Sequence, residues 1–505
     1  MESTGVDVAA CSGMIEELAN RLFGTMDGAV AKAWVASVTQ LAGYARAPVE
    51  TMALDGEMEA MALARRVVGP LWEARLQGRI DELDALSWGD CPCVRCGAVT
   101  ESQGRRPRTW KSLLGPLRLT RRYSTCGPCA SGQWPSQEAI GLGIGPFTPR
   151  LEEAITMLAT TVPHGMAVKL AEELLQTNVS EKGVQQMVEW RARGVTSCLD
   201  EDADRLTPYD KSGLPVAVQA LPADAATTVE QVAYLEMDGV VPMTREELVG
   251  SELSDADRRK QRRAKKAGAR GGRGRRYRLV GREVKNAVLY AGSDCLQESA
   301  SRGCIVERHY VSHLGDWRGF ALLVWIELLR QNYNNAQLLV VLSDGAEWIR
   351  SVCEWLPTSV VLILDLYHVK HRIWEVAHAL YGEHTPAARR WAEVQCARIE
   401  AGEADRTIHS LRFLKPSRAE VQELVTSLAD YLGNNRDRMD YPQYRAMGLR
   451  VGSGAVESAN YHVTGARLKL QGMRWSEQGA KEMAYLRADL FNGRWADRTR
   501  QLLAA

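Results

Sequence analysis

Two apolar runs that each end at an aspartate constrain the fold of this chain more than any other feature. Residues 338–342 lead to Asp344, and residues 360–364 lead to Asp365. Short apolar runs bounded by turn signals are typical of strands that are buried on both faces of a sheet. The sequence therefore predicts two parallel strands whose faces are covered by helices.

The segments before these runs predict the rest of the sheet. Three further strands are predicted by apolar or alternating residues, at 232–237, 282–290 and 304–310. Helical patterns follow at 315–330 and 348–355. Strands of period two, then a helix, then two apolar strands favour a mixed sheet in which crossover helices join the parallel strands. This part of the chain is therefore predicted to be α/β.

The length of 505 residues is too great for one hydrophobic core, so several domains are expected. The net charge is only +1, which gives no argument for nucleic-acid binding. No segment approaches the roughly 20 apolar residues of a membrane span, and the first residues lack a signal-peptide pattern. Isolated cysteines such as Cys198, Cys353 and Cys396 suit a reducing compartment. We expect a cytoplasmic protein that does not enter a membrane.

Two Cys-x-x-Cys pairs predict a zinc ribbon at residues 89–135. The predicted ligands are Cys93, Cys96, Cys126 and Cys129. Four thiolates complete the tetrahedral shell of Zn²⁺, so one structural zinc ion without a catalytic role is expected. A hairpin that turns at Gly115 and Pro116 would join the two pairs. Cys91 is a fifth candidate ligand, and disulfide pairing is the alternative that a reducing compartment disfavours.

Basic residues collect in and after this ribbon. Arg121 and Arg122 in the ribbon are predicted to contact DNA phosphates, with a solvated polar face as the alternative. Residues 146–200 predict a helix-turn-helix-like DNA-binding domain, in which Ser180 caps the second helix. Many helical hairpins share this outline. Residues 1–88 are predicted to be helical and to serve as a scaffold or dimerisation arm.

A basic insertion is predicted at residues 255–280. Twelve arginines or lysines and no acid lie between Arg258 and Arg278. Such a run repels itself and is expected to be mobile unless it meets an anion. DNA phosphate is favoured over a solvated insertion. The predicted contacts are Arg273, Arg275 and Arg276.

Three acids have the positions that a two-metal phosphodiester enzyme needs. Asp238 and Asp344 end predicted strands, and Glu457 lies near the start of a helix after a glycine-rich turn. Two Mg²⁺ or Mn²⁺ ions activate the attacking oxygen and stabilise the leaving oxygen. Mg²⁺ prefers a few carboxylates and keeps its other positions for water and phosphate. We predict that these three acids are catalytic metal ligands.

Each acid also has a simpler interpretation. The Asp-Gly pairs at 238–239 and 344–345 could initiate turns, and Glu457 could be stabilised by a helix dipole. Asp365 competes for the second metal position, but it forms a separate Asp-x-x-His pair with His368. The three acids are preferred because they occur together in the right order.

These blocks resemble the DDE transposases of bacterial insertion sequences, close to the ISKra-type group and related to the Mutator-like superfamily. The resemblance covers residues from about 90 to 495. It is most specific in Gly454-x-x-Glu457-Ser458 and in Gly472-Met473-Arg474-Trp475. The segment from Asp365 to His368 is similar to the Asp-x-x-His signature of that superfamily. The basic insertion is less familiar.

The predicted strand order is that of a ribonuclease H-like domain at residues 230–370 and 445–505, interrupted by an all-helical insertion at 371–444. The resemblance implies that the protein binds terminal inverted repeats and catalyses DNA cleavage and strand transfer. His368 would orient the scissile strand or brace the catalytic core. Further DNA contacts would be Arg467, Lys469 and Arg474. The implied partners are double-stranded DNA and other copies of the chain, in a dimer or larger synaptic oligomer at the bacterial nucleoid.

Three other functions compete with this one. A ribonuclease H-like nuclease or resolvase would cut without strand transfer, but it would not need the upstream modules that read DNA ends. A domesticated DNA-binding regulator is disfavoured by the intact set of acids. A structural zinc protein of a larger complex would leave the C-terminal blocks unexplained.

Overall fold

A computed structural model describes most of the chain as two compact units. The described residues are 17, 28–46, 54–85, 91–143, 145–210, 213, 215–216, 229–266, 276–299 and 302–504. The first unit comprises Met1–Met187 and the second Val188–Ala505. Within the described ranges, no helix combines the length and the apolar character that crossing a membrane requires.

The first unit contains helices around one β-hairpin. Its elements are α1 (Gly28–Arg46), α2 (Leu54–Ala85), β1 (Glu101–Ser112), β2 (Gly115–Thr125), β3 (Gly132–Gln133), α3 (Pro135–Ala139), α4 (Pro149–Thr161), α5 (His164–Leu175) and the first residues of α6 (Glu181–Leu206). The predicted hairpin is confirmed, but Ser112 pairs with Gly115, so the turn lies two residues earlier than predicted. Gly115 supplies the positive φ of 99° beside this tight turn.

The helical pair after the hairpin begins as the sequence predicts. Ser180 caps α6 by accepting a hydrogen bond from the Gly183 N–H at 3.1 Å. The second helix continues beyond residue 200, where the predicted domain ends, and stops at Leu206. Leu206 is buried and its carbonyl accepts a hydrogen bond from the Trp325 indole at 3.1 Å, which holds this helix end in the second unit.

The second unit contains the rest of α6, followed by a set of strands and helices. These are β4 (Val232–Val240), β5 (Met243–Glu247), α7 (Asp255–Lys266), β6 (Tyr277–Gly281), β7 (Val284–Ala291), β8 (Cys295–Ser299), β9 (Arg302–Ile305), β10 (His309–Leu314), α8 (Trp317–Arg330), β11 (Leu338–Ser343), α9 (Glu347–Trp355) and β12 (Val360–Leu364). The expected strand at 304–310 is two strands, because exposed Val306 and Glu307 lie in a bend between β9 and β10.

Helices form the rest of the unit. They are α10 (Leu366–Tyr381), α11 (Pro386–Glu400), α12 (Ala404–Phe413), α13 (Ala419–Asn434), α14 (Tyr441–Ala446), α15 (Gly454–Ala459), a π-helical segment (Asn460–Gly465), α16 (Ala466–Leu468), α17 (Glu477–Phe491) and α18 (Trp495–Ala504). The region predicted as all-helical, 371–444, therefore contains the rest of α10 and the helices α11 to α14.

Five strands form one mixed sheet in the order β10-β7-β4-β11-β12. β4 pairs antiparallel with β7, and β7 pairs antiparallel with β10. β11 is parallel to both of its neighbours, β4 and β12. The α/β prediction is confirmed at this level: antiparallel strands precede parallel ones, and α8 and α9 are the connections.

The strand period divides the sheet into two cores. Ala233, Leu235 and Met237 in β4 pack on the side of α8 and α9. Tyr234 lies on the other side, where the core continues through α10 to α15. Because alternate residues share a face, Glu236 and Asp238 also lie on the side of α15.

The described part of the basic insertion belongs to a two-stranded hairpin: β5 pairs antiparallel with β6, and α7 lies between the two strands in the sequence. Thr244 in β5 bridges to Trp475, and the Arg245 N–H donates to the Trp475 carbonyl at 2.7 Å. The Gly472–Trp475 block therefore anchors this hairpin. Arg273 and Arg275 lie outside the described residues.

Candidate functional site

One row of polar residues crosses the sheet at the carboxyl ends of its parallel strands. In the ladder, Ser312 of β10 faces Asn286 of β7, and Asn286 faces Asp238 of β4. The parallel pairing of β4, β11 and β12 ends one residue before Asp238, Asp344 and Asp365. These three aspartates therefore leave adjacent strands at the same edge, as the sequence predicts for the first two.

Asp238 is partly buried and held on both carboxylate oxygens. Oδ1 accepts a hydrogen bond from the Gly239 N–H at 2.7 Å, and Oδ2 accepts one from the Asn460 side-chain amide at 2.6 Å. Burial raises the pKa of Asp238 to about 6, and the negative charges of Asp344 and Glu457 act in the same direction. This carboxyl group is therefore destabilised as an anion and would be stabilised by a cation.

A network of amides and hydroxyls orients Asn460. The Asn286 side-chain N–H donates to Asn460 Oδ1 at 2.6 Å. Asn286 Oδ1 in turn accepts from the hydroxyls of Ser312 at 2.6 Å and Thr464 at 2.9 Å. Asn460 and Thr464 are one turn apart in the π-helical segment, a geometry that is frequent at functional sites. The network fixes which atom of Asn460 faces Asp238.

Asp344 keeps one carboxylate oxygen without a hydrogen-bond donor among the described residues. Its Oδ1 accepts from the Ala346 N–H at 3.0 Å, in a turn that Gly345 completes with a φ of 91°. The Tyr431 hydroxyl donates to the Asp344 carbonyl at 2.7 Å and ties this turn to α13. The backbone of Asp344 is fixed, while its side chain retains capacity to bind a ligand.

Asp365 is structural in every contact that it makes. Its Oδ1 caps α10 by accepting from the N–H groups of Tyr367 at 2.6 Å and His368 at 3.0 Å. Its Oδ2 accepts from the Ser453 N–H at 2.6 Å and also from the Ser453 hydroxyl. A carboxylate offers about four acceptor sites, and all four are used here. This supports the choice of Asp344 over Asp365 as a metal ligand.

Glu457 is exposed and contacts His368, with 3.1 Å between Glu457 Oε1 and His368 Nε2. The start of its helix is held by Glu236, which lies two residues before Asp238 in β4. Glu236 Oε2 accepts from the Val456 N–H at 2.9 Å, and Oε1 accepts from the Tyr290 hydroxyl at 2.6 Å. Burial raises the pKa of Glu236. This buried carboxyl thus connects the central strand directly to the backbone beside Glu457.

Two sets of side chains at this edge of the sheet could bind a metal ion. Among the described residues, Asp365, His368 and Glu457 have ligand atoms within 4.8 Å of one another, and Asp238 and Asp344 are outside that cluster. The hydrogen bonds disfavour a metal at Asp365, because the ion would have to displace an N-cap or the Ser453 contact. Asp238 and Asp344 fit Mg²⁺ better, since each oxygen carries at most one hydrogen bond.

The four predicted zinc ligands meet in the first unit. Cys93, Cys96, Cys126 and Cys129 have sulfurs within 4.8 Å of one another. The Cys93–Cys129 and Cys96–Cys126 sulfur distances are 3.6 and 3.5 Å, near the roughly 3.8 Å edge of a zinc–thiolate tetrahedron. A hydrogen bond with Ser131 lowers the pKa of Cys93 to about 6, which favours the thiolate. Cys91 is outside this cluster, and its sulfur accepts from Gln133.

The predicted DNA contacts differ in exposure. Lys469 and Arg474 are exposed, and exposed Arg276 pairs with Asp257 at 2.6 Å. Arg122 is half-buried and donates to the Asp84 carbonyl at 2.8 Å.

Two of the predicted contacts are buried arginines. Arg121 donates to Gln137 at 2.6 Å and stacks 3.8 Å over Trp134. Arg467 is 1% exposed and lies 4.8 Å over Trp475. This burial contradicts the prediction that both residues contact DNA phosphates: each guanidinium packs on a tryptophan, and neither reaches the surface.

Several site residues were missed from the sequence, namely Glu236, Asn286, Ser453, Asn460 and Thr464. A signal was available for two of them. Glu236 and Asn286 are polar residues inside otherwise apolar strands, where an unpaired polar side chain would be costly. Asn460 and Thr464 gave no comparable signal, because polar residues are ordinary in a helix after a glycine-rich turn.

Comparison with known proteins gives one partial match. Over residues 278–501 the chain is similar to an uncharacterised protein family, UPF0236. The matched region includes Asp344, His368 and Glu457, while Asp238 and the four cysteines precede it. No curated protein matches the chain.

Proposed function

We propose that this protein is a DNA transposase that cleaves and joins DNA strands at Asp238, Asp344 and Glu457. The observation that carries the proposal is the alignment of Asp238 and Asp344 at the ends of adjacent parallel strands. Glu457, in a helix held by Glu236, is near enough for its charge to act on Asp238. The strand order β10-β7-β4-β11-β12, with the first strand central, is the order expected of a ribonuclease H-like sheet.

The acids would bind two Mg²⁺ ions, which supply activation of the attacking oxygen and stabilisation of the leaving oxygen when bound. Asp238 would offer both oxygens, because its hydrogen bonds with Gly239 and Asn460 leave acceptor capacity on each. His368 holds Glu457 by a direct contact, so its proposed role is to position that carboxylate. Protonation of Asp238 competes with cation binding, so activity should fall as the pH drops below about 6.

The other parts of the chain would serve DNA recognition. We propose that the four cysteines bind one structural Zn²⁺ and that the ribbon and the α5–α6 pair bind the ends of a mobile element. Lys469, Arg474 and the basic helix α7 are the proposed phosphate contacts in the second unit. Two element ends must be handled together, so a dimer or larger assembly at the bacterial nucleoid is part of the proposal.

The test is cleavage and joining of labelled duplexes that carry the DNA flanking this gene, with Mg²⁺ present. Glu457→Gln should abolish both reactions and leave DNA binding intact. Glu375→Gln is a matched control, because Glu375 also contacts a histidine, His371 at 3.4 Å, and both glutamates are 56% exposed. Cutting without joining would support a nuclease instead. Specific DNA binding without chemistry in Mg²⁺ or Mn²⁺ would support a regulator.

A further inference from the structure

Two tyrosines beside the acidic site are unusually exposed. Tyr367 is 66% exposed and Tyr461 is 70% exposed. Of the other Phe, Trp and Tyr side chains whose exposure the structure describes, Phe413 reaches 70% and none of the rest exceeds 47%. Two of the three most exposed side chains of these types therefore adjoin residues of one site.

Tyr367 is fixed at the start of α10, next to His368. Its N–H donates to Asp365 Oδ1 at 2.6 Å, which holds the backbone. Its ring lies against Gly452, where a Cβ would come within 2.6 Å of two ring carbons. The glycine before Ser453 is thus needed for this ring position, and the outer surface of the ring remains open to solvent.

Tyr461 is fixed at the other end of α15. It follows Asn460, whose amide holds Asp238 at 2.6 Å, and it lies one turn after Glu457. The His462 ring contacts it edge-on with 4.9 Å between ring centroids. Eight residues lie between Gly452 and Tyr461, and most are helical, so the backbone of Tyr461 is on the order of 10 Å from Gly452 and from the Tyr367 ring that lies against it.

We infer that Tyr367 and Tyr461 each stack on an unpaired nucleobase, one on either side of the DNA bond that the acids attack. Aromatic rings bind any base through its face, which suits contacts that do not read sequence. A spacing of about 10 Å is roughly three base steps of duplex DNA, so two bases would be held apart rather than stacked on each other. The preferred substrate would be a DNA end with unpaired bases at the cleavage position. This inference rests on the proposed function.

The test measures equilibrium binding in Ca²⁺ to two versions of a flanking-DNA duplex labelled with 2-aminopurine. One version has three unpaired nucleotides at the cleavage position, and the other is fully paired. Tyr367→Ala and Tyr461→Ala should each bind the unpaired version about tenfold more weakly, with less quenching of 2-aminopurine. Binding of the paired version should stay within twofold. Tyr→Phe variants should behave as wild type, because the ring face is kept.

Phe413→Ala is the matched control, since Phe413 is as exposed as Tyr461 but lies in α12. The inference is overturned if the alanine variants bind both DNAs as wild type does, or lose affinity for both equally, with unchanged melting temperatures. Cleavage by the same preparations separates the two ideas. If wild type cleaves DNA, Glu457→Gln abolishes the cleavage and the tyrosine variants bind unpaired bases as wild type does, then base stacking is refuted and the proposed reaction is not. If base binding depends on the tyrosines but no cleavage is seen, then the proposed reaction is refuted and base stacking is not.

Discussion

Replacing Asp238 by asparagine should remove a pH-dependent loss of stability from the metal-free protein. Burial raises the pKa of Asp238 from 3.8 to about 6, a difference of about two units, and each unit corresponds to about 1.4 kcal/mol. The anion therefore costs at most about 3 kcal/mol, and about 1–2 kcal/mol after allowance for solvent screening of this partly exposed group. Asparagine removes this cost, but its amide has one acceptor oxygen in place of two, so the hydrogen bond from Gly239 or from Asn460 is lost at every pH. The Tm of the variant relative to wild type should therefore rise by a few degrees between acid and neutral pH.

The sign of the effect fixes its pH dependence. A carboxyl group with a raised pKa contributes stability that is fully present below about pH 3.8 and is lost as the pH rises through about 6. The Tm difference between Asp238→Asn and wild type should therefore shift in favour of the variant as the pH rises from 4.5 to 7.5. Differential scanning fluorimetry in EDTA measures it, with Asp430→Asn, an exposed change in α13, as control.

Adding Mg²⁺ at pH 7.5 should shift the Tm difference back in favour of wild type. Wild type gains stability from the bound cation, by an amount that grows with the logarithm of its concentration. The variant lacks one carboxylate ligand and should gain less. An equal Tm difference at pH 4.5 and 7.5, or an equal Mg²⁺ response in both proteins, would refute the reasoning about this site.

Three other changes test separate parts of the structure. Asp365→Asn should lower the free energy of unfolding by about 2–4 kcal/mol in urea titrations, with or without Mg²⁺, because an amide cannot accept four hydrogen bonds. If Mg²⁺ reversed this loss of stability, Asp365 would instead be a metal ligand. Arg467→Lys should lower Tm and leave DNA affinity unchanged. Lys469→Ala and Arg474→Ala should each reduce the salt dependence of DNA binding by about one phosphate contact. Weaker DNA binding by Arg467→Lys with an unchanged Tm would contradict the burial of Arg467. Atomic emission should find one zinc ion per chain in wild type and none in Cys126→Ser. The first unit of the variant should also unfold at a lower temperature. Retention of zinc by the variant would rule out the four-cysteine site.

The sequence was sufficient for the elements whose periodicity is strong. The apolar runs before Asp238, Asp344 and Asp365 became β4, β11 and β12, because such runs are stable only when both sheet faces are covered. The cysteine spacing was equally informative, since two short loops joined by a hairpin bring four sulfurs together. Boundaries were less certain: the turn at residues 113–114 and the extension of α6 to Leu206 depend on pairing and burial that no local pattern encodes.

The sequence alone determined which acids end strands, but only the tertiary structure decided what each acid does. Asp344 and Asp365 both follow apolar strands, yet four donors converge on Asp365 while one Asp344 oxygen is open. Arg467 and Lys469 are two residues apart, and only one reaches the surface. These outcomes depend on donors and rings from distant segments, such as Ser453 for Asp365. Such contacts form when the chain packs, so their partners cannot be read from the neighbouring sequence.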